Sequence, residues 1–229
     1  MNTKFRVYLL AATVSAVGML LLVIGMPDRV PIHFNYVGEA DSWGSKWTYA
    51  LFACIPLIEL VSYRVYRRFS HNPNVEKNAP LEEKVVVGTG LFLAVIGWLI
   101  LLMVRSGENR LNPSYACLIM TGVGLLMIFI SNFMAKIRPN HSLGFRVKWT
   151  LRDETVWVKT HRIAGYMGVI GGAIIVVGSL MGVAIWPWIA FAGLALGLLV
   201  MTIVPAVYAR NLYYELHPKE SLKSGPEHH

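Results

Sequence analysis

The chain has 229 residues, is 55% hydrophobic and only 15% charged, and carries a net charge of +8. An ordinary soluble domain is about a quarter charged, whereas runs of about 20 apolar residues, which recur here, mark membrane-spanning helices. A β-barrel needs alternating segments of about ten residues, which are absent, and the positive charge lies in loops between apolar runs, where it orients a membrane protein and does not bind nucleic acid directly.

Lys4 and Arg6 precede an apolar run from Val7 to Met26, read as an uncleaved first span because it is too long for a signal-peptide core and no small-residue cleavage site follows. Pro27 to Lys46 is a polar loop whose two Pro and two Gly exclude one regular helix. The second span covers about Trp47–Tyr66 and contains Pro56 and Glu59. A loop rich in Asn and Pro follows, then a third span over about Val85–Val104. A short connection with Arg105, Glu108, Arg110 and Pro113 leads to a fourth span, about Ser114–Met134. The fifth and sixth are about Ile163–Val183 and Trp188–Tyr208, and a polar tail ends the chain. Cys54 and Cys117 fall inside spans, with neither metal nor disulfide spacing.

The fold class is therefore all-α: a polytopic membrane protein with six transmembrane helices. With the N-terminus and C-terminus cytoplasmic, 17 Lys and Arg lie inside and four outside (Arg29, Lys46, Arg105, Arg110). That asymmetry is the positive-inside pattern.

The most distinctive stretch is Asn132–Gly165, which holds seven of the 21 Lys and Arg between two apolar spans. Pro139 ends the local helix and Gly144 permits a sharp turn. Thr150-Leu-Arg-Asp153 has the spacing of a capping box, predicting a helix that starts near Leu151 and runs into the fifth span. On that helix Asp153, Trp157 and Thr160 share a face, and His161, Gly165, Gly168 and Gly172 share the next, where the glycines admit a close helix. Asn132, Asn140, Arg146, Trp149, Thr150, Asp153, Trp157 and His161 are the candidate binding residues here. The simpler alternative is an interfacial elbow, with basic and aromatic residues touching lipid.

Glu59 is a second candidate, because an intramembrane carboxylate needs a partner or a role. Its depth, about 10 Å of helix rise from the end of its span, matches that of Asn132 and His161, so the expectation is pairing with His161, Arg146 or a water-filled pocket, the alternative being a protonated Glu59 hydrogen-bonded to a neighbouring helix. The outer loop supplies His33, Asn35, Glu39 and Asp41. His33, Glu39 and Asp41 could be zinc ligands, but their spacing fits no standard site. Pro31 and Gly38 shaping the loop, with Asp41 capping the approach to the second span, is the better expectation. No HExxH, P-loop or GxSxG motif occurs, and no cofactor is implied.

The run Asn132…Lys136…Asn140, Gly144-Phe145-Arg146, Trp149-Thr150, Trp157 and Thr160-His161-Arg162 resembles the signature of the SdpI family of bacterial membrane proteins. The run Pro27, Pro31, His33-Phe34-Asn35, Gly38-Glu39, Asp41 and Lys46 is similar to the small domain of unknown function that commonly precedes it. The sequence departs from the pattern at Lys148, where Pro is usual, and at Ser131, where Gly is common. The resemblance implies a multi-pass protein of the bacterial cell membrane, related to immunity factors that protect a producing cell from its own secreted, membrane-active peptide toxin. Some such factors also signal by holding a transcriptional repressor at the membrane.

The expected organisation is a two-helix unit over 1–66 with motif loop 27–46, a cytoplasmic loop 67–84, a four-helix unit 85–209 with motif 132–162, and a tail 210–229. The expected partners are a peptide toxin, membrane lipids and a cytoplasmic repressor. The competing function is a membrane-embedded enzyme or carrier acting on a lipid headgroup or small anionic ligand. Glu59, Asp153 and His161 would then be its acid–base groups, and Arg146, Lys148 and Arg152 its anion holders.

Overall fold

The structure, a computed structural model, describes residues 3–35, 38–71, 73–107, 110, 112–140 and 142–218. Glu108, His141 and residues 219–229 of the tail lie outside the described residues. Among the described residues seven helices and one hairpin occur in the order α1 (Thr3–Ile24), β1 (Arg29–Phe34), β2 (Ala40–Ser45), α2 (Trp47–Phe69), α3 (Val75–Arg105), α4 (Pro113–Met134), α5 (Lys148–Arg152), α6 (Glu154–Ala184) and α7 (Trp188–Leu216). All but α5 are long and apolar enough to cross a membrane. Their outer faces carry exposed Leu, Val, Ile and Phe, as a lipid-facing surface requires. The molecule is a six-span membrane protein.

The helices pack as two groups. In the first, α1, α2 and α3 close on two apolar clusters, one around Met19, Val23, Ala53 and Leu101 and one around Phe5, Tyr8, Leu60 and Tyr63. In the second, α6 lies between α4 and α7 with small residues on both faces. A Cβ on Gly172 would lie 2.8 Å from the Gly124 carbonyl of α4, and one on Gly178 would lie 2.8 Å from the Gly193 Cα of α7. Apolar side chains gain little by leaving lipid for protein, so backbone approach and close packing must hold such helices together. Between the groups, the Phe92 ring of α3 lies over Gly122 of α4, and the Phe129 ring of α4 over Gly88 of α3.

The polar loop over residues 27–46, whose Pro and Gly exclude one regular helix, is an antiparallel hairpin. Asn35 shapes its turn: its side chain accepts from the Glu39 amide at 2.9 Å and its backbone bonds Glu39 and Gly38. Gly38 adopts φ 82°, which glycine supplies without strain. Val30 seats the hairpin in the first apolar cluster, and the Tyr49 hydroxyl donates to the Pro31 carbonyl. Two of the four cations at this end close α1. Lys46 donates to the Ile24 and Met26 carbonyls and Arg105 to the Leu22 carbonyl, satisfying acceptors that a helix C-terminus leaves open.

Several boundaries differ from the sequence reading. Residues 75–84, expected within a loop over 67–84, are the first turns of α3 despite Pro80. Pro80 sits near the helix start and removes one backbone bond there. The helix expected to run unbroken from Leu151 is interrupted at Asp153, which is extended (φ −141°, ψ 126°) between α5 and α6. Thr150 therefore does not cap the long helix. It lies inside α5, where its hydroxyl accepts from the Val147 amide at 3.1 Å, and Asp153 caps α6 by accepting from the Val156 amide at 2.8 Å. The last span extends to Leu216, so the tail from residue 210 begins as helix.

Candidate functional site

The motif between α4 and α6 is a loop held almost wholly by hydrogen bonds to its backbone. Asn140 is 2% exposed; its Oδ1 accepts from the Ser142 and Leu143 amides and its Nδ2 donates to the Arg138 carbonyl. Trp157 is fully buried and donates from Nε1 to the Ile137 carbonyl at 2.8 Å. His161 is 1% exposed and stacks on the Trp157 ring, with centroids 4.0 Å apart and planes 21° off parallel.

Both ring nitrogens of His161 are engaged. Nδ1 lies 2.8 Å from the Trp157 carbonyl, which can only accept, so Nδ1 carries the proton. Nε2 is then bare and accepts from the Phe145 amide at 2.9 Å. Gly144, just before Phe145, has φ 123°, and a Cβ there would overlap His161 Nε2. Any other residue would be strained and would displace the ring.

The loop is clamped from a third side by residues the sequence reading missed. Asn78 on α3 donates to the Arg138 carbonyl and accepts from the Arg138 amide, each at 3.0 Å, as a neighbouring strand would. Asn74 donates to the Pro139 carbonyl at 2.9 Å, and Glu82 Oε1 accepts from the Ser142 hydroxyl at 2.9 Å. Asn74, Asn78 and Glu82 recur every four residues, the spacing of one helix face. That period was the available signal, obscured by the Pro-rich composition around it.

Between α5, the start of α6 and this clamp lies a cavity of about 310 Å³, lined by Asn74, Asn140, Thr150, Arg152, Asp153, Glu154 and Trp157 among others. Four of the predicted residues thus share it: Asn140, Thr150, Asp153 and Trp157. His161 lies behind Trp157. Asp153 also pairs with His217 at the end of α7, at 3.1 Å. The Val156 amide holds the Asp153 carboxyl below the usual carboxylate value, and His217 adds to the effect. Arg146 and Arg152 are exposed on the surface around this loop. Trp149 packs towards α7, with Lys148 Nζ 4.9 Å from its ring centroid. Lys148 is the first residue of α5, a position where the family's usual proline also fits the helix.

The remaining predicted residues lie elsewhere. Asn132 is exposed, donates to the Ile128 carbonyl of its own helix at 2.6 Å, and faces a groove of about 400 Å³ between α4 and α6 with Ser131, Arg162 and Tyr166. Glu59 does not join His161 or Arg146: it turns towards Tyr8 of α1 and Gly90 of α3, inside the other helix group. At the hairpin end, His33 Nδ1 lies 2.6 Å from Asp41 Oδ1 in an exposed pair. Asp41 therefore does not cap α2, whose start has no side-chain cap. Glu39 faces Arg110 at 4.0 Å. Among the described residues no three metal-ligating side chains converge.

A six-span membrane protein with a backbone-clamped basic motif at one end and a hairpin at the other defines the class. Residues 136–209 match the model of the SdpI/YfhL protein family, and residues 10–57 match a domain of unknown function, DUF1648. The chain is also 29% identical over 163 residues, 69% of its length and 72% of the relative's, to the Immunity protein SdpI of Bacillus subtilis (strain 168). The likeness to the SdpI/YfhL family covers residues 136–209 of the chain. No solved structure matches it.

Proposed function

We propose that the chain is an immunity protein of the cell membrane, protecting the cell from a secreted, membrane-active peptide toxin. The likeness to a protein named for immunity supports this over most of both chains. The geometry favours binding over catalysis. His161 spends both nitrogens on backbone groups at 1% exposure. Glu59, Asp153 and His161, the acid–base set of the enzyme reading, do not share a site. The observation that carries the proposal is the hydrogen-bonded motif loop presenting a polar cavity beside exposed Arg146 and Arg152.

With the basic end in the cytoplasm, as the charge asymmetry favours, this cavity is the surface for a cytoplasmic partner, a transcriptional repressor among the candidates. The hairpin end, with His33, Asn35, Glu39 and Asp41, meets the toxin, and lipid surrounds the spans. The experiment is expression in a toxin-sensitive strain: survival of challenged cells rises if the proposal holds, and equal killing with and without the protein refutes it.

A further inference from the structure

The α1–α3 group holds a half-buried acid, Glu59, whose Oε2 is buried and which the motif does not use. Tyr8 is 5% exposed, and neither its hydroxyl nor Glu59 Oε2 has a hydrogen-bond partner among the described residues. Both converge on the bare backbone of Gly90: a methyl built there would overlap the Tyr8 hydroxyl and lie 3.0 Å from Glu59 Oε2. Glycine at position 90 is thus what leaves room for the phenol and the carboxyl together. The cluster that holds Tyr8 is lined by Leu57 and Leu60 of α2 and Val86 and Val87 of α3, together with the rings of Tyr63 and Tyr66 of α2. Among the described residues no counter-charge faces the acid. The facing titratable group is Tyr8 from α1, α3 presents Gly90, and the nearby Arg64 lies over the Phe5 ring at 4.1 Å.

We propose that Glu59, walled by Tyr8 and Gly90, is an intramembrane binding site for an exchangeable proton. A hard metal cation would need about six oxygen ligands, and this pocket offers a carboxyl and a phenol. A polar line leads away from the site. Tyr63 and Arg67 follow Glu59 at four and eight residues, on the same face of α2, covering about 12 Å of rise. Arg67 pairs with Glu76 and Glu83. Glu82, 3% exposed, lies within electrostatic reach of Tyr63 and holds Ser142 of the motif loop. Protonation at Glu59 is thereby placed one helix face away from the residues that fix the motif.

The test uses the intact protein in phospholipid vesicles treated with dicyclohexylcarbodiimide, which adds the O–H of a protonated carboxylic acid across its C=N bond; peptide mass spectrometry locates the adduct. The site predicts an adduct on Glu59 that Glu59→Gln abolishes and that sodium or potassium does not suppress. Labelling should fall roughly tenfold per pH unit above its midpoint. Tyr8→Phe, which keeps the ring and removes the hydroxyl, should move that midpoint. An adduct that survives Glu59→Gln, labelling that ignores pH, protection by sodium, or an unmoved midpoint in Tyr8→Phe each overturns the proposal. These readouts need no toxin, so they stand or fall separately from the immunity function.

Discussion

His161 accepts the Phe145 amide on Nε2 while its Nδ1–H is given to the Trp157 carbonyl one turn below. One imidazole thus ties the motif loop to α6. Removing it with His161→Ala opens a cavity beneath Trp157 and leaves the Phe145 amide unpaired. Together these should cost about 3 kcal/mol. Denaturant unfolding in detergent reads the loss, and His161→Gln, able to offer one acceptor, should recover part of it.

Asn78 substitutes for a strand neighbour by bonding both backbone groups of Arg138. Asn78→Ala should destabilise the protein by about 1–3 kcal/mol, because the Arg138 amide, in a part-buried bond, loses its acceptor. Hydrogen exchange should rise selectively over residues 138–143 and remain unchanged in the hairpin. A uniform rise across the chain would show that Asn78 supports the whole fold and not this loop.

Asp153 links stability to pH. Its folded carboxyl titrates below the ordinary value because the Val156 amide, and then His217, favour the ionised form. A depressed value means stabilisation that is complete above the unfolded-state value of about 3.9 and is lost as pH falls through the folded one. Asp153→Ala should therefore lower stability by about 1 kcal/mol at neutral pH. The gap to the wild type should narrow below about pH 4, as thermal unfolding measured against pH would show.

The helix frame was legible in the sequence because hydropathy and Lys/Arg placement report spans directly. The same applies to the motif residues that share a helix face: Trp157 with Thr160, and His161 with Gly165, Gly168 and Gly172, follow from three- and four-residue spacing. Depth along a helix, however, says nothing about which way a side chain turns around it. Glu59 lies within the α1–α3 group for that reason, although helix rise alone matched it to His161. The hairpin was hidden because its register bulges and its Pro and Gly erase strand alternation. The α3 clamp was hidden because Pro80 and the asparagines read as loop, while their four-residue period pointed to helix.

Gly172 and Gly124 meet backbone to backbone, with a Cβ on either lying 2.8 Å from the other's carbonyl oxygen. Gly172→Ala should force α4 and α6 apart and cost about 1–3 kcal/mol by overpacking. An exposed lipid-facing control such as Val177→Ala should change stability little. Thermal unfolding of both variants in the same detergent makes the comparison.

The most direct measurement is the survival of toxin-challenged cells expressing wild type or His161→Ala at equal membrane levels. Protection by the wild type, lost in His161→Ala and partly restored in His161→Gln, is the predicted result. Full protection by His161→Ala at those levels would contradict a protective role for the clamped motif.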